Sequence, residues 1–561
     1  MRCSITLMRN ALKLFSATAL LSSSILGCAA DAPMVDPNSI DGIDAVEDGE
    51  AVEDGKADDF LSATAREFIV SGTSTVVIED TYNTRPEAER LARAAQLVTL
   101  KQTAVSWFLN LYLVDKDEEH GGASWGGFGA MAKNGDIAST NLRRVSGNTY
   151  TYNFEQVLAG RVDLMTRMPT QAGPNLPDGT RTRTFVLQMG RPTNTQLAQL
   201  ETNAEWYRNA PFSDWNPTTV PAAQREDVTL TMRPERASQD AWLDYNRLMA
   251  DGVLDIDIHF GWDYHDAYHV QHARAMYSWL RARGFTTTLT GFDQMNRTSP
   301  PFTRTITANG RPVRIEVRMF YGRTGSDVDP DTAAGGRQLE LDMRSSLNTR
   351  DVIVYSGHSG PFYGFALANW RMTSEGDLDD SDMTTVQMPA DRYQVVMAEG
   401  CDTYQIGSAF GRNPNKPNLR NLDVFTTTSF SDASSPAAIE DFLTFLTERD
   451  TRGRHRPRSV RSLLQNLDAN SSGFHTMYGM HGIDDNTRLH PYADAEMMGQ
   501  ACATNANCGD IGNLCIRNSS RTPRYCTAAC TDTSGCPSGF VCSQIASTST
   551  STIYGNACVR R

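Results

Sequence analysis

Hydrophobic and polar positions between residues 254 and 467 alternate between short apolar runs and longer amphipathic segments. The apolar runs are rich in β-branched and aromatic residues and are bounded by turn formers, which predicts strands at 254–260, 312–321, 352–355, 393–398 and 422–428. Helical spacing predicts helices at 267–283, 338–348, 436–448 and 460–467. Because strands that alternate with helices indicate crossover connections, the pattern predicts a doubly wound α/β domain with a mostly parallel sheet.

The pattern changes on both sides of this region. Residues 67–79 are typical of strands, Pro86 opens a long amphipathic helical segment, and shorter alternating segments then indicate antiparallel strands. This N-terminal α+β region shows no chemical motif, so its role stays open. The predicted organisation is a leader at 1–28, an acidic linker at 29–59, an N-terminal α+β domain at 60–240, the α/β domain at 241–498 and a cysteine-rich module at 499–561.

The chain contains eleven cysteines, and most of them are crowded near the C-terminus. Those in the crowded region are Cys502, Cys508, Cys515, Cys526, Cys530, Cys536, Cys542 and Cys558. Such a density predicts a disulfide scaffold. A zinc site is disfavoured, because the spacing lacks a CxxC pair and no histidine lies among these cysteines. The sequence leaves the pairing open.

Length and charge limit the classes of function. A chain of 561 residues is too long for one core, and a net charge of −14 argues against nucleic-acid binding. Part of the negative charge lies in the linker at 29–59, which is expected to be a disordered spacer because it has few apolar groups to bury.

The N-terminus has the features of an export signal. Basic residues precede an apolar stretch at 14–26 that is too short to span a bilayer. This stretch runs into ILGC, ending at Cys28, which resembles the lipobox of bacterial lipoproteins. The resemblance implies a signal peptide, lipid attachment to the Cys28 thiol, and contact with a membrane through that anchor. The expected location is the bacterial outer membrane or cell surface, with plain secretion as the alternative.

Two residues with nucleophilic and basic chemistry follow neighbouring predicted strands. His358 comes after the strand at 352–355, and Cys401 comes after the strand at 393–398. In an open α/β sheet, the carboxyl ends of neighbouring strands meet at one crevice. A histidine there can stabilise a cysteine thiolate and later protonate a leaving amine. Backbone amides of Ser359, Gly360 and Cys401 are the expected oxyanion donors.

A strand that ends in a glycine-flanked histidine, followed by a strand that ends in acid-x-Cys, resembles the caspase-like cysteine peptidases: caspases, metacaspases, gingipains, clostripain and legumain. The resemblance covers roughly residues 254–428. It implies a caspase-like fold and an exported cysteine endopeptidase that cleaves peptide bonds in proteins or peptides with His358 and Cys401, without a cofactor. Ser359 separates His358 from Gly360, whereas family members usually have glycine directly after the histidine.

Legumain gives the nearest pattern around the expected substrate pocket. Glu399, Cys401 and Asp402 match its acid-x-Cys-acid arrangement, and Tyr268 and His269 match the Arg-His pair that lines its specificity pocket. The arginine is therefore absent here. The resemblance implies a pocket floored by Glu399, and a carboxylate there favours cleavage after a basic residue.

Two alternatives stay open. In the first, the chain is a surface lipoprotein with a catalytically inactive caspase-like domain, and it acts in binding or attachment through its cysteine-rich module. It would otherwise be a metalloprotein, because His265, His269 and His272 have helical spacing on one face and thus form a weak candidate metal site. The expectation from the sequence is that no metal is bound.

Overall fold

The computed structural model describes residues 43–45, 60–119, 137–199, 206–263, 267–359, 364–432, 434–471, 475–509, 511–517, 523–547 and 553–561. The predicted leader with Cys28, nearly all of the acidic linker, His265 and Gly360 lie outside the described residues.

The described strands, in chain order, are β1 Ile43–Ala45, β2 Phe60–Ser62, β3 Ala65–Val77, β4 Ile137–Ser146, β5 Thr149–Arg161, β6 Gln171–Asn175, β7 Arg181–Gly190, β8 Arg225–Pro234, β9 Val253–Phe260, β10 Phe302–Ala308, β11 Arg311–Tyr321, β12 Val352–Ser356, β13 Phe365–Ala366, β14 Asp377–Leu378, β15 Gln394–Glu399, β16 Leu422–Thr427, β17 Tyr478–His481, β18 Asn513–Ile516, β19 Tyr525–Ala528, β20 Phe540–Ser547 and β21 Ile553–Arg560. The described α-helices are α1 Glu87–Glu119, α2 Leu164–Arg167, α3 Asn194–Leu197, α4 Tyr245–Leu248, α5 Tyr268–Ala282, α6 Ala333–Thr349, α7 Asp380–Met383, α8 Tyr404–Gly411, α9 Ala437–Thr447 and α10 Val460–Ala469.

The largest sheet has eight strands in the order β10-β11-β9-β12-β15-β16-β17-β2. Its centre is parallel, from β11 through β9, β12 and β15 to β16. The pairs at both edges are antiparallel. The prediction of an α/β region with a mostly parallel sheet is confirmed, and the five strands expected from the apolar runs are its five parallel strands.

Helices cover both faces of this sheet because its buried strands are apolar on both sides. Along β12, Val352 and Val354 pack in one core with α5, α9 and α10. Ile353 and Tyr355 point to the opposite face and pack with α6 and α8. Full burial of each such aliphatic or aromatic side chain contributes about 1.5–3 kcal/mol. The two cores therefore hold the carboxyl ends of the central strands in a fixed arrangement.

The N-terminal region forms a second sheet, of six antiparallel strands in the order β4-β5-β3-β8-β7-β6, with α1 packed against it. The chain passes from the eight-stranded sheet into this second sheet and then returns to the eight-stranded sheet. The short strand β2 pairs with β17 at the edge of the eight-stranded sheet, and the chain then enters β3. After β8 it returns to β9 in the centre of the eight-stranded sheet. We call residues 65–234 the inserted segment.

The C-terminal cysteines form the four predicted disulfides: Cys502–Cys515, Cys508–Cys526, Cys530–Cys542 and Cys536–Cys558. In each group of four cysteines, the first pairs with the third and the second with the fourth. The crossed pairing appears twice in succession, so the module consists of two similar crossed units. One hairpin lies in each unit, β18–β19 in the first and β20–β21 in the second. Strand β1 extends the second hairpin by pairing with β20.

Candidate active site

Three central strands end at the same level, and a glycine follows each of them. Phe260 of β9 pairs with Ser356 of β12, and Ser356 pairs with Glu399 of β15. The next residues are Gly261, Gly357 and Gly400. Their backbones lie too close together for side chains.

The crowding at the strand ends explains why each of these positions is glycine. A Cβ atom on Gly400 would lie 2.6 Å from Ser359 Oγ and 2.8 Å from the Gly357 carbonyl oxygen. A Cβ atom on Gly357 would lie 2.8 Å from the Gly261 Cα atom. The three turns can therefore approach each other closely, and Asp263, His358 and Cys401 follow them within two positions.

His358 is held by Asp263. The Nε2 atom of His358 lies 2.6 Å from Oδ2 of Asp263, and both side chains are largely buried. The Asp263 amide donates to Nδ1 of His269 over 3.3 Å, which ties the loop after β9 to helix α5. A carboxylate at Nε2 fixes the orientation of the ring and its tautomer. The sequence pattern pointed to His358 but gave Asp263 no role in this contact.

Cys401 is a free cysteine whose surface is partly exposed. The pKa of its thiol is raised to about 12, chiefly by burial; the neighbouring carboxylates of Asp402 and Glu399 contribute to the rise, and hydrogen bonds with Ser431 oppose it. This is the opposite of the depressed pKa expected from a thiolate paired with an imidazolium. The thiol is therefore protonated at neutral pH.

The residue after the thiol adopts a strained backbone conformation. Asp402 has φ = 52°, in the left-handed region that costs a residue with a side chain about 1 kcal/mol or more. Its amide donates to the Ser429 carbonyl oxygen over 3.1 Å. The Ser359 hydroxyl donates to the Cys401 carbonyl oxygen over 2.5 Å. These bonds hold the turn that carries the thiol, and they show that Ser359 contacts Cys401 through its side chain.

Two adjoining cavities lie near these strand ends, and each encloses about 330 Å³, a volume that includes space open to solvent. The cavity next to the histidine is lined by Gly261, Asp263, Tyr268, His272, Ser356, Gly357, His358, Glu399, Ser431 and Asp432. The adjoining one is lined by Glu399, Asp432, Ser435, Ala437, Ala438, Asp441, Leu467, Asn470, Ser471 and Tyr478. Both therefore share Glu399 and Asp432. Of the predicted site residues, Glu399, Tyr268 and His358 line a cavity, whereas His269, Asp402 and Cys401 are not among the residues that line either one.

Glu399 presents an unsatisfied acceptor to this space. Its side chain is 7% exposed, and its Oε2 atom is buried without a hydrogen-bond partner. Burial raises the pKa of Glu399 to about 7, hydrogen bonds from Tyr478 and Ser431 oppose the rise, and the charge of Asp432 adds to it. His272 is similar, because its buried Nε2 atom has no partner and burial lowers the pKa of its imidazole. Asp432 and His272 had no place in the pocket predicted from the sequence.

The histidines proposed as weak metal ligands do not form a ligand cluster among the described residues. There, the groups of three potential ligands within 4.8 Å of one another consist of disulfide-bonded cysteines. Burial lowers the pKa of His269 to about 4, and its Nδ1 accepts from the Asp263 amide. His272 stacks on Tyr268 with ring centroids 5.6 Å apart. His265 lies outside the described residues.

Comparison of the chain with family models, with curated proteins and with solved structures gives no match. Among the described helices, none is both long enough and apolar enough to cross a membrane.

Proposed function

We propose that the protein is a cysteine endopeptidase with a caspase-like fold, in which Cys401 is the nucleophile and His358 is the general base and acid. The observation that carries the proposal is the register of β12 and β15. Because Ser356 pairs with Glu399, His358 and Cys401 each lie two residues beyond a paired position on adjacent parallel strands. Asp263 orients the imidazole through Nε2 and leaves Nδ1 as the ring nitrogen for proton transfer.

The raised pKa of Cys401 dictates the order of events. The thiol holds its proton until a substrate binds, and His358 then takes that proton as the sulfur attacks the scissile carbonyl carbon. The tetrahedral intermediate collapses, the C–N bond breaks, and imidazolium His358 gives the proton to the leaving amine. Water, deprotonated by the same ring, then releases the acyl group and restores the thiol. Backbone N–H groups at Ser359, Gly360 and Cys401 are the proposed oxyanion donors.

The residues that line the cavities favour a substrate with a basic residue immediately before the cleaved bond. Glu399 and His272 line the same cavity, and each contains a buried atom without a hydrogen-bond partner, Oε2 and Nε2 respectively. We assign the role of acceptor to His272 Nε2, since the same ring hydrogen-bonds to the Ser434 main chain. Asp432 and Asp441 add two carboxylates. A guanidinium offers five donors in a planar fork, so this set of acceptors complements arginine better than lysine.

One observation favours the alternative of an inactive binding protein: a thiol with a pKa of about 12 is a poor nucleophile until its proton is removed. The four disulfides support an oxidising location outside the cytoplasm in either case. Export through the leader, with lipid attachment at Cys28, is proposed on the sequence of the N-terminus alone.

A peptide-library digest tests the proposal. Wild type should cleave after arginine, and Cys401→Ala and His358→Ala should abolish cleavage. His475→Ala is a matched control, because His475 is exposed and is not among the residues that line either cavity. Absence of cleavage by wild type across the library, or equal cleavage by wild type and Cys401→Ala, would refute the peptidase and leave the binding protein.

A further inference from the structure

A residue of the inserted segment contacts the helix that follows the thiol. Tyr404 is the first residue of α8, three positions after Cys401, and its side chain is 2% exposed. Its hydroxyl donates to the Glu67 carboxylate. Glu67 lies on β3 of the six-stranded sheet and is 6% exposed. A hydrogen bond between a buried hydroxyl and a buried carboxylate therefore joins the inserted segment to the first turn of α8.

Apolar packing surrounds this bond. The ring of Tyr404 meets Phe60 edge-on at 5.3 Å and lies 4.8 Å from the ring of His481. Phe60, Ala65, Ala159, Tyr404 and Met477 form one buried cluster. Ala65 and Ala159 come from β3 and β5 of the inserted segment, whereas Tyr404 and Met477 belong to the region of the eight-stranded sheet. The start of α8 is thus enclosed between the two sheets.

The turn from Gly400 to Tyr404 is fixed at every residue. The partners, in order, are the Thr427 hydroxyl for the Gly400 carbonyl, the Ser359 hydroxyl for the Cys401 carbonyl, the Ser429 carbonyl for the Asp402 amide, the Ala398 carbonyl for the Thr403 hydroxyl, and Glu67 for the Tyr404 hydroxyl. Only the last of these partners belongs to the inserted segment. A strained backbone such as that of Asp402 persists only where its surroundings determine it fully.

We propose that the inserted segment is a permanent positioning element of the thiol site, and that Glu67 acts through Tyr404 to hold the turn that carries Cys401. The inference rests on the proposed peptidase for its effect on turnover, but the effect on the thiol itself does not depend on that activity. Residues 65–234 are accordingly not a removable pro-segment, since their loss would leave the buried Tyr404 hydroxyl without its carboxylate and expose the apolar cluster.

The test compares Tyr404→Phe with wild type in the full chain. The substitution removes the hydroxyl and keeps the ring in the cluster. A loosened turn admits water to the thiol, so the pH midpoint for alkylation of Cys401 by iodoacetamide should fall by one unit or more, towards that of an ordinary cysteine at about 8.5. Turnover of an arginine peptide should fall about fivefold or more, with KM nearly unchanged.

Two further variants separate positioning from a general loss of stability. Glu67→Gln keeps a hydrogen-bond acceptor for Tyr404 and should stay closer to wild type than Tyr404→Phe does. Tyr152→Phe is the matched control. The buried Tyr152 hydroxyl donates to the Gln102 side chain over 2.7 Å, and both residues belong to the inserted segment. Its alkylation profile and turnover should equal those of wild type.

The inference is overturned if Tyr404→Phe has the same alkylation midpoint as wild type, or if Tyr152→Phe shifts it equally. Circular dichroism at the assay temperature verifies that each variant is folded. If wild type cleaves no peptide, the proposed function fails, and the alkylation midpoints still decide whether the inserted segment positions the thiol.

Discussion

The Nε2 atom of His358 and the Oδ2 atom of Asp263 lie 2.6 Å apart, although the two residues follow different strands of the central sheet. The contact gives the imidazole one orientation and one preferred tautomer, with the proton on Nε2. It also provides a negative charge beside the ring for the proposed step in which the ring gains a second proton from Cys401.

Replacement of Asp263 by Asn tests this relationship. The amide keeps the shape of the carboxylate but supplies no charge to stabilise the imidazolium, so kcat for peptide cleavage should fall by about 100-fold or more. Steady-state kinetics on an arginine peptide measure the change. Asp293→Asn serves as the control because Asp293 is an exposed aspartate whose ion pair with Arg274 lies on the surface. A kcat for Asp263→Asn within threefold of wild type would exclude the orienting role.

The reactivity of Cys401 towards iodoacetamide should depend steeply on pH. Only the thiolate reacts, and burial raises the pKa of this thiol to about 12. The rate should be low at pH 7 and should rise roughly tenfold per pH unit between pH 8 and 11, in proportion to the thiolate fraction. Mass spectrometry of the labelled chain measures the rate, with Cys401→Ser as the blank. Rapid labelling at pH 7 that levels off above pH 8 would show that the thiol is not shielded.

Binding of a cationic probe should strengthen as the pH rises through 7. Below that pH, Glu399 carries a proton, because burial raises its pKa to about 7, and it offers no charge to the probe. Above it, the carboxylate attracts the cation. Calorimetry with benzamidine between pH 5.5 and 8.5 should therefore give a falling Kd, and Glu399→Gln should weaken binding and remove the pH dependence. The hypothesis of a basic pocket fails if the Kd of wild type is constant over this range.

Arg304 should stabilise the fold as a shared cap of two helices. Its guanidinium donates to the Arg283 carbonyl after α5 over 3.0 Å and to the Thr447 carbonyl at the end of α9 over 3.1 Å. A cation at a helix C-terminus is favourable and satisfies free carbonyls there. Arg304→Met should lower the free energy of unfolding by about 2 kcal/mol, measured by urea denaturation. Arg281→Met, at an exposed position on the last turn of α5, should change it little.

The central fold was largely predictable because its strands are buried on both faces. Continuous apolar runs followed by turn formers located β9, β11, β12, β15 and β16, and helical spacing located α5, α6, α9 and α10. Helix α8, between β15 and β16, was not predicted. The edges were not found. Strand β2 has three residues, and β17 has four, so neither is long enough to show a period, and their pairing depends on contacts between distant parts of the chain.

The sequence predicted those site residues that lie at or just beyond the end of a recognisable strand, namely His358, Cys401 and Glu399. Asp263 was missed as a partner of His358, although it follows the same pattern of strand, glycine and polar residue that marks the other two strand ends. Asp432 lies in the loop after β16, and its place beside Glu399 arises from the packing of that loop. Apolar periodicity carries no information about such loops. The burial that raises the pKa of Cys401 was also not visible in the sequence.

The position of β2 has a consequence for the order in which the molecule assembles. Ser62 bonds to Tyr478 across a separation of 416 residues, whereas the strands of the inserted segment find their partners within residues 65–234. Contacts between distant residues form slowly because a long loop must close first. The inserted sheet can therefore mature early during synthesis, while the last edge of the larger sheet waits for β17 to emerge. The turn that carries Cys401 is therefore surrounded by all of its neighbouring strands only when nearly the entire polypeptide has been made.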